Sequence, residues 1–259
     1  MMFDRFASEI NAARPVALAT VVAGPNTGAK LLVLHDGTTD GTLGDDDLDR
    51  VAVRDTIGDL DAGQSGVRHY GPHGEARQDE VTVFIETHAP PPQLLVFGVV
   101  DVTAALVRVA KVLGYHVTVC DAREVFATTQ RFPFADEVVV DWPHRLLERV
   151  GAELGPRDAI CVLTHDHKFD VPAITAALAT RAGFLGAMGS RRTTEERNKR
   201  LLDAGVTVAD LARVHAPIGL DIGARTPEET AVSICAEIIA AHTGKRAESL
   251  RDTDGAIHA

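Results

Sequence analysis

Two adjacent arginines, Arg191 and Arg192, follow a Gly189-Ser190 pair at a point where a strand is expected to give way to a helix. Ser190 can cap that helix, and the backbone N–H groups of its first turn attract anions. Guanidinium groups match the geometry of phosphate and add fixed positive charge. The segment therefore predicts an anion site. The alternative is an exposed helix whose first arginines pair with glutamates one turn later.

Two histidines flank an acid directly after another predicted strand, as His165, Asp166 and His167. In an extended segment the two imidazoles could face one ligand, which invites a metal interpretation. A metal is not expected, because no further histidine follows Asp170 at the spacing of metallo-hydrolases. We interpret the three residues as ligand contacts or structural residues. Asp170 is expected to cap the next helix, with Pro172 in its first turn.

His215 and Asp221 lie in an unusually apolar loop that also contains glycine. Loops of this composition often fold over a binding site, and the alternative is that this loop packs against the sheet. The loop ends at Thr226-Pro227. That pair is typical of a helix start, with threonine as the cap and proline at the first helical position.

The segment around Gly98 has the layout of a nucleotide-binding turn, with an apolar strand, a glycine and then a helix. A second strand ends about twenty residues later at Asp121, where an acid would hold ribose hydroxyls. Of the usual glycine pattern, only Gly98 is present. Val100 adds a side chain where backbone should approach a pyrophosphate, Asp101 adds negative charge, and Thr103 fills the helix–strand contact. The pattern predicts the fold and argues against NAD(P) as a cofactor.

The second part of the sequence alternates strands and helices, which can position these clusters. Near-continuous apolar strands in such an alternation indicate a parallel sheet covered on both faces, with ligands at the carboxyl ends of its strands. The predicted strands lie near 94–98, 116–120, 137–140, 159–163 and 183–187, and the predicted helices near 102–113, 143–151, 171–181, 191–204 and 227–241.

The first part is predicted to contain strands, a helix capped by one of three aspartates, and a loop or edge strand. The strands lie near 17–22, 29–34 and 81–86, the helix begins from Asp45, and the loop or edge strand lies within 61–80. The fold class is therefore α/β. A small N-terminal mixed α/β domain (1–90) is followed by a Rossmann-like domain (91–244) with a doubly wound parallel sheet, and by a polar C-terminal tail (245–259).

The chain has 37 acidic and 26 basic side chains and a formal net charge of −11, which argues against general nucleic-acid binding. An anionic ligand would need a local basic cluster. The three cysteines lie in apolar patterns, which is typical of buried thiols in a reducing compartment. Because no signal-peptide pattern or membrane-spanning apolar run is present, we expect a cytoplasmic protein without membrane insertion.

The three clusters occur in order as VLTHDHKFD, GFLGAMGSRR and RVHAPIGLDIGARTPEE, and with QLLVFG they resemble the xanthine dehydrogenase accessory-factor family of XdhC/CoxI type. The resemblance implies a small N-terminal domain followed by a Rossmann-like domain. It also implies an accessory protein that binds molybdenum cofactor (molybdopterin) transiently, protects it while the terminal sulfur is installed, and delivers it to a molybdenum hydroxylase apo-enzyme. A homodimer and a sulfurtransferase partner are implied as well. The chain has no iron–sulfur cysteine set, so xanthine dehydrogenase itself is not implied.

The sequence departs from the family pattern at two places. Members usually have Gly-Ala-Gly-His-Val-Gly where this chain has Gly98–Thr103, and Gly-Thr-Ile-Gly-Gly-Gly-Cys where it has Gly41–Asp47. A glycine run can form an N–H nest for an anion, whereas three aspartates repel one. The missing cysteine removes a sulfur or molybdenum contact. Both departures predict weaker cofactor handling at these segments.

Three hypotheses follow, ranked in this order. In the first, the chain is a molybdenum-cofactor chaperone: Ser190 and the two arginines hold the pterin phosphate, His165–His167 line the cleft, and Asp221 helps to close it. In the second, it is a non-catalytic paralogue with a degenerate nucleotide site. In the third, it is an NAD(P)-dependent oxidoreductase that uses Asp121 on the ribose. No catalytic residue and no metal ligand is assigned.

Overall fold

The computed structural model describes residues 2–76, 78–164 and 166–254. The chain divides into two compact units at the bond between Pro90 and Pro91. The first unit contains a five-stranded sheet and the second a six-stranded sheet. Among the described residues, no helix is both long enough and apolar enough to cross a membrane.

The first unit is built on an antiparallel sheet with the strand order β3-β2-β1-β5-β4. One face is covered by helix α2, which begins after Asp45, as predicted, and ends at Gly63 in the left-handed conformation. The predicted loop or edge strand within 61–80 contains β4, at the edge of the sheet. The elements are α1 (Met2–Asn11), β1 (Val16–Ala23), β2 (Lys30–Leu34), β3 (Thr39–Thr42), α2 (Asp46–Ala62), β4 (Gly66–Tyr70) and β5 (Val81–His88).

The second unit alternates strands and helices, and every strand pairing in its sheet is parallel. Its elements are β6 (Gln93–Phe97), α3 (Asp101–Val112), β7 (His116–Cys120), β8 (Glu137–Val139), α4 (Pro143–Val150), β9 (Ala159–Val162), α5 (His167–Leu178), β10 (Phe184–Ala187), α6 (Arg191–Asp203), α7 (Val208–Leu211), β11 (Val214–His215), α8 (Pro227–Thr243) and a final 3₁₀ turn (Leu250–Asp252).

The strand order of this sheet is β11-β10-β9-β6-β7-β8. The chain starts in the middle at β6, winds outward through β7 to β8, and then returns to the other side of β6 as β9. This is the doubly wound order of a Rossmann fold, so the predicted fold class is confirmed. The direction of winding reverses between β6 and β9, and the carboxyl ends of those two strands flank the position where such sheets bind ligands.

Alternate side chains of each strand face opposite layers, which gives the unit two cores. Leu94 and Val96 of β6 pack in the layer of α3 and α8, whereas Leu95 and Phe97 pack in the layer of α4, α5 and α6. All four are 3% exposed or less. Burial on both faces explains why the strand sequences are continuously apolar rather than alternating.

The start of α5 differs from the prediction. Asp166, not Asp170, is the N-cap, and its side chain accepts a hydrogen bond from Lys168 N at 3.0 Å. Helix α5 consequently begins at His167, four residues before the predicted start, and Pro172 lies inside the helix. Aspartate is a favoured N-cap residue, so both positions fit the local rule. Only Asp170 is buried, and it lies within the helix instead of capping it.

Candidate functional site

The turn after β6 uses its backbone N–H groups internally. Val99 N donates to Oδ2 of Asp121 at 2.9 Å, and Val100 N donates to the Thr103 hydroxyl at 3.0 Å. The Thr103 hydroxyl in turn donates to the carbonyl oxygen of Gly98 at 2.9 Å. A pyrophosphate at this turn would need the same N–H groups as donors. The turn does not fit a dinucleotide.

The Asp121 carboxylate is buried, with its side chain 4% exposed, and is already fully engaged. Oδ1 accepts from Arg123 N and Nε, both at 2.9 Å, and Oδ2 accepts from Arg123 Nη2 at 2.7 Å as well as from Val99 N. Burial by itself raises the pKa of this carboxyl, but the hydrogen bonds from Arg123 and Val99 lower it below the ordinary value. Ribose hydroxyls would have to compete with these donors.

Thr164, which follows β9, requires a glycine at position 98. The φ of Gly98 is +103°, and a Cβ there would lie 2.5 Å from Cγ2 and 2.9 Å from the backbone N of Thr164. The carboxyl ends of β6 and β9 are therefore in direct contact at the switch point of the sheet. The glycine that indicated a nucleotide turn in the sequence is explained by this close approach.

The first turn of α6 is the predicted anion site. Ser190 caps the helix, as predicted, and accepts from Thr193 N at 3.1 Å. Arg192 pairs with Glu196 across a 3.0 Å contact, as the alternative interpretation expected. Arg191 is exposed and forms no hydrogen bond or ion pair within the described part of the chain. One uncommitted guanidinium and the N–H groups of a helix N-terminus thus remain available to an anion.

Arg197, the most deeply buried arginine near this turn, is not among the site residues predicted from the sequence. Its side chain is 2% exposed, and its Nη1 donates to the carbonyl oxygen of Met188 at 2.8 Å and lies 3.7 Å from Oδ2 of Asp170. Thr194, Arg197 and Leu201 are the buried residues of α6. Their spacing of three and four residues was the available signal, because it places an arginine on the inward face of the helix.

Asp170 lies between the ends of β9 and β10. The hydroxyl of Thr164, which follows β9, donates to Oδ1 of Asp170. Burial raises the pKa of Asp170 to about 7, although the Arg197 guanidinium draws it down. Burial also lowers the pKa of Arg197, and its Nε has no hydrogen-bond partner in the described structure. A titratable acid and a partly satisfied arginine are therefore buried behind the predicted anion site.

The predicted residues of the β9 loop are only partly placed. His165 lies outside the described residues. Asp166 and His167 are exposed, and Nδ1 of His167 lies 3.7 Å from Oδ1 of Asp166. The neighbouring Lys168 ammonium lies over the Trp142 ring, 4.9 Å from its centroid. Asp166 and His167 thus remain accessible to a ligand at the start of α5.

His215 and Asp221 have different surroundings: His215 is held by contacts within the second unit, whereas Asp221 is exposed. The His215 ring stacks on Phe184 at 4.6 Å, and its Nδ1 lies 3.1 Å from Oε1 of Glu237. Gly219 N donates to Oε2 of the same glutamate at 2.6 Å. Glu237 therefore holds the loop after β11 against α8. Asp221 is exposed within this loop, and His215 contributes to anchoring it.

The acidic segment Asp45–Asp47 of the first unit is a helix start. Asp45 accepts from Asp47 N and Leu48 N at 3.1 and 3.0 Å, and its other oxygen lies 2.7 Å from Nδ1 of His73. Both effects lower the pKa of Asp45, the hydrogen bond from Leu48 most of all. The backbone N–H groups of this turn are consumed by the Asp45 carboxylate, so they cannot form a nest for an anion.

The three cysteines are buried and unpaired. Burial raises the pKa of Cys120 and Cys235 to about 12 and that of Cys161 well above its ordinary value. A thiol reacts as its thiolate, so none of the three is poised to carry sulfur. Within the described residues, no group of three or more His, Cys, Asp or Glu side chains could hold a metal ion.

Comparison with known proteins places both units in one family. The sequence model described as the XdhC Rossmann domain matches residues 94–238, and that of the XdhC and CoxI family matches residues 10–71. A crystal structure of a xanthine dehydrogenase from Bacillus halodurans superposes with a TM-score of 0.56 at 21% identity, and covers 96% of this chain and 98% of that one. At this identity the likeness shows the fold.

Three curated proteins are similar in sequence. Uncharacterized protein YqeB of Escherichia coli (strain K12) is 28% identical over 242 residues, 87% of this chain and 43% of that protein. A probable xanthine dehydrogenase subunit of Bacillus subtilis (strain 168) is 34% identical over 62% of this chain and 46% of that protein. Molybdenum cofactor insertion chaperone PaoD of Escherichia coli (strain K12) is 31% identical over 34% of this chain and 27% of that protein.

The chain spans less than half the length of each of these three relatives. The family assignment rests on the Rossmann-domain match, which covers more than half of the 259 residues and includes every predicted contact of the cleft and its closing loop. The chain belongs to the XdhC family.

Proposed function

We propose that this chain is an accessory protein for a molybdenum hydroxylase, which holds the molybdenum cofactor as cargo through its terminal phosphate and passes it to the apo-enzyme. Membership of the XdhC family and the similarity to a molybdenum cofactor insertion chaperone support this role. Similarity to a probable xanthine dehydrogenase subunit supports a client of that enzyme class.

The observation that carries the proposal is the first turn of α6. It combines a serine cap, the backbone N–H groups of the first helical turn, and the uncommitted guanidinium of Arg191. These are the donors that a phosphate monoester needs. The turn after β6 lacks them, because Asp121 and Thr103 already accept from its N–H groups. The phosphate of the cofactor therefore fits α6 better than the turn that resembles a dinucleotide site.

The exposed side chains at the start of α5 extend this site. Asp166 and His167 follow β9, the strand next to β10, so they lie on the same edge of the sheet as Arg191. They can contact the polar pterin, while Asp221 in the loop after β11 can close over it. The three buried thiols leave sulfur installation to a separate sulfurtransferase.

Titration calorimetry with purified molybdopterin tests the phosphate site. Arg191→Ala is expected to weaken binding by roughly 10- to 100-fold, because a charge-assisted hydrogen bond contributes about 1.5–3 kcal/mol. Arg192→Ala should weaken it much less, since that guanidinium is held by Glu196. Arg181→Ala removes an exposed charge before β10, at the opposite edge of the sheet, and is the matched control. Equal losses in all three variants would refute the site.

The client interaction needs a separate measurement. The immobilised chain, loaded with molybdopterin, is expected to retain an apo molybdenum hydroxylase of the xanthine dehydrogenase class and to release the cofactor to it. NAD and NADP should not raise the melting temperature, because the Asp121 carboxylate is engaged. If the chain binds neither molybdopterin nor any apo-hydroxylase, the alternative hypothesis of a non-catalytic paralogue with a degenerate nucleotide site is favoured.

A further inference from the structure

A buried ion pair lies directly behind the first turn of α6. The side chains of Asp170 and Arg197 are 4% and 2% exposed, and Oδ2 and Nη1 are 3.7 Å apart. Nη1 also donates to Met188 O, and it lies 3.7 Å from the position that a Cβ would occupy on Gly189. The guanidinium is thus packed against the backbone of the turn that leads into Ser190.

The same pair reaches the neighbouring strand. The hydroxyl of Thr164, directly after β9, donates to Oδ1 of Asp170, and Asp170 N donates to the carbonyl oxygen of Asp166 at 3.0 Å. A chain of contacts therefore runs from the end of β9 through Asp170 and Arg197 to the end of β10. The guanidinium is not fully satisfied, because its Nε has no partner in the described structure. Buried charge of this kind is costly, so an apolar pair would be the simpler way to pack α5 on α6.

We propose that Asp170 and Arg197 are positioning residues of the anion site: Arg197 holds the turn before α6 against the end of β9, and the proton on Asp170 sets how much of the Arg197 charge acts on a bound anion. This inference rests on the proposed function of the α6 turn. With Asp170 ionised, the two charges compensate each other. With Asp170 protonated, one positive charge stands uncompensated behind Gly189 and attracts an anion more strongly.

The charges around Asp170 place this change in a physiological range. Arg197 and Arg200 face it from α6, and Asp166 faces it from the start of α5. Burial raises its pKa to about 7 against the pull of the two arginines. Helix α4 also packs on α5, and its titratable and charged side chains are His144, Arg145, Glu148 and Arg149. Anion affinity should therefore fall as the pH rises through neutrality.

Sulfate is the probe, because its charge stays constant across this range whereas that of phosphate does not. Calorimetric titrations at about pH 5.5 and about pH 8.5, at constant ionic strength, bracket the pKa of Asp170. For the wild-type chain we expect the affinity for sulfate to be at least about threefold higher at the lower pH. Asp170→Asn should keep the higher affinity at both pH values.

Two further variants separate this effect from other causes. Thr164→Val keeps the shape of the side chain but removes a hydrogen bond to the ionised carboxylate, so the midpoint of the pH dependence should move upward. It also serves if Asp170→Asn does not fold. An imidazole near the site is a second source of pH-dependent charge, so His167→Ala, which removes the exposed imidazole at the start of α5, is the control and should retain the pH dependence.

The outcomes distinguish the two proposals. If wild-type protein binds no sulfate at either pH, the anion site of the proposed function is wrong. If it binds sulfate but Asp170→Asn keeps the full pH dependence, or the histidine variant loses it, the positioning role of Asp170 and Arg197 is overturned. Binding that depends on pH in the wild type, is flat in Asp170→Asn and has a raised midpoint in Thr164→Val supports it.

Discussion

Replacing Asp121 with asparagine should destabilise the second unit even though no ligand is present. In a nucleotide-binding protein the acid at the end of the second strand is kept for the ribose. Here it accepts hydrogen bonds from one buried backbone group, Val99 N, and from three donors of Arg123. The carboxylate therefore fastens the end of β7 to the turn after β6. The prediction concerns the free energy of unfolding rather than ligand affinity.

The size of the loss follows from the geometry. Each oxygen of Asp121 accepts two hydrogen bonds, so the amide of an asparagine must turn its NH₂ group toward two donors in either orientation. One buried N–H group left without an acceptor costs about 1–3 kcal/mol. The Arg123 side chain is 49% exposed, so its ion pair adds only a fraction of a kcal/mol. We expect Asp121→Asn to lower the free energy of unfolding by about 2–3 kcal/mol.

The pH dependence of this loss has a defined sign. Burial alone would raise the pKa of Asp121, but the hydrogen bonds from Arg123 and Val99 leave it below the ordinary value in the folded state. The stabilisation is therefore present above the unfolded pKa of about 3.9 and is lost as the pH falls through the folded pKa. The difference between wild type and Asp121→Asn should be complete near neutral pH and should shrink in acid.

Urea unfolding followed by tryptophan fluorescence measures this difference. Trp142 is the single tryptophan of the chain and lies in the second unit, so its emission reports on that unit alone. Asp203→Asn, at the exposed end of α6, is the matched control and should change the free energy by less than about 0.5 kcal/mol. Equal stabilities of the two variants at an unchanged m-value would show that Asp121 is not a structural acid.

Three further predictions follow from the described residues. Gly98→Ala should cost about 2 kcal/mol or more in the same unfolding assay, because its Cβ would meet Thr164, whereas Gly114→Ala, also at positive φ but with open space around it, should cost about 1 kcal/mol; equal costs would refute the close contact. A thiol reagent should label Cys120, Cys161 and Cys235 only after unfolding, since all three are buried with raised pKa values, and rapid labelling of native protein would contradict this. EDTA should leave the melting temperature unchanged, and a clear decrease would restore the metal interpretation of the His165–His167 segment.

The fold was predictable because burial dictates the sequence pattern of a doubly wound sheet. Strands such as β6 are apolar at every position, since both faces are covered, and the caps at Thr226 and Ser190 mark helix starts that the structure confirms. The two-residue strand β11 and the four-residue helix α7 were not predicted. Elements this short contain too few residues to show a period, and their pairing with longer elements determines them.

The candidate site was less predictable, because local rules do not determine which of two similar residues is buried. Asp166 and Asp170 both fit the N-cap rule, and only the packing of α5 on α6 separates the exposed cap from the buried acid. Asp121 fits the ribose rule, yet Arg123, two residues later, satisfies it internally. In each case the group that determines the outcome lies within a few residues or on the next element, and it is not part of the sequence motif.

The position of an anion site in this sheet depends on which strand-to-helix turn keeps its N–H groups free. All such turns of a parallel sheet open on the same edge, so the turns after β6 and β10 are alternatives for a phosphate. At the first, Val99 and Val100 donate to side chains of the same unit, and Asp101 adds a negative charge. At the second, Ser190 takes only the N–H of Thr193. In a chain with a net charge of −11, the uncommitted guanidinium of Arg191 then makes this second turn the more favourable place for an anion, so the proposed phosphate site does not depend on the glycine motif after β6.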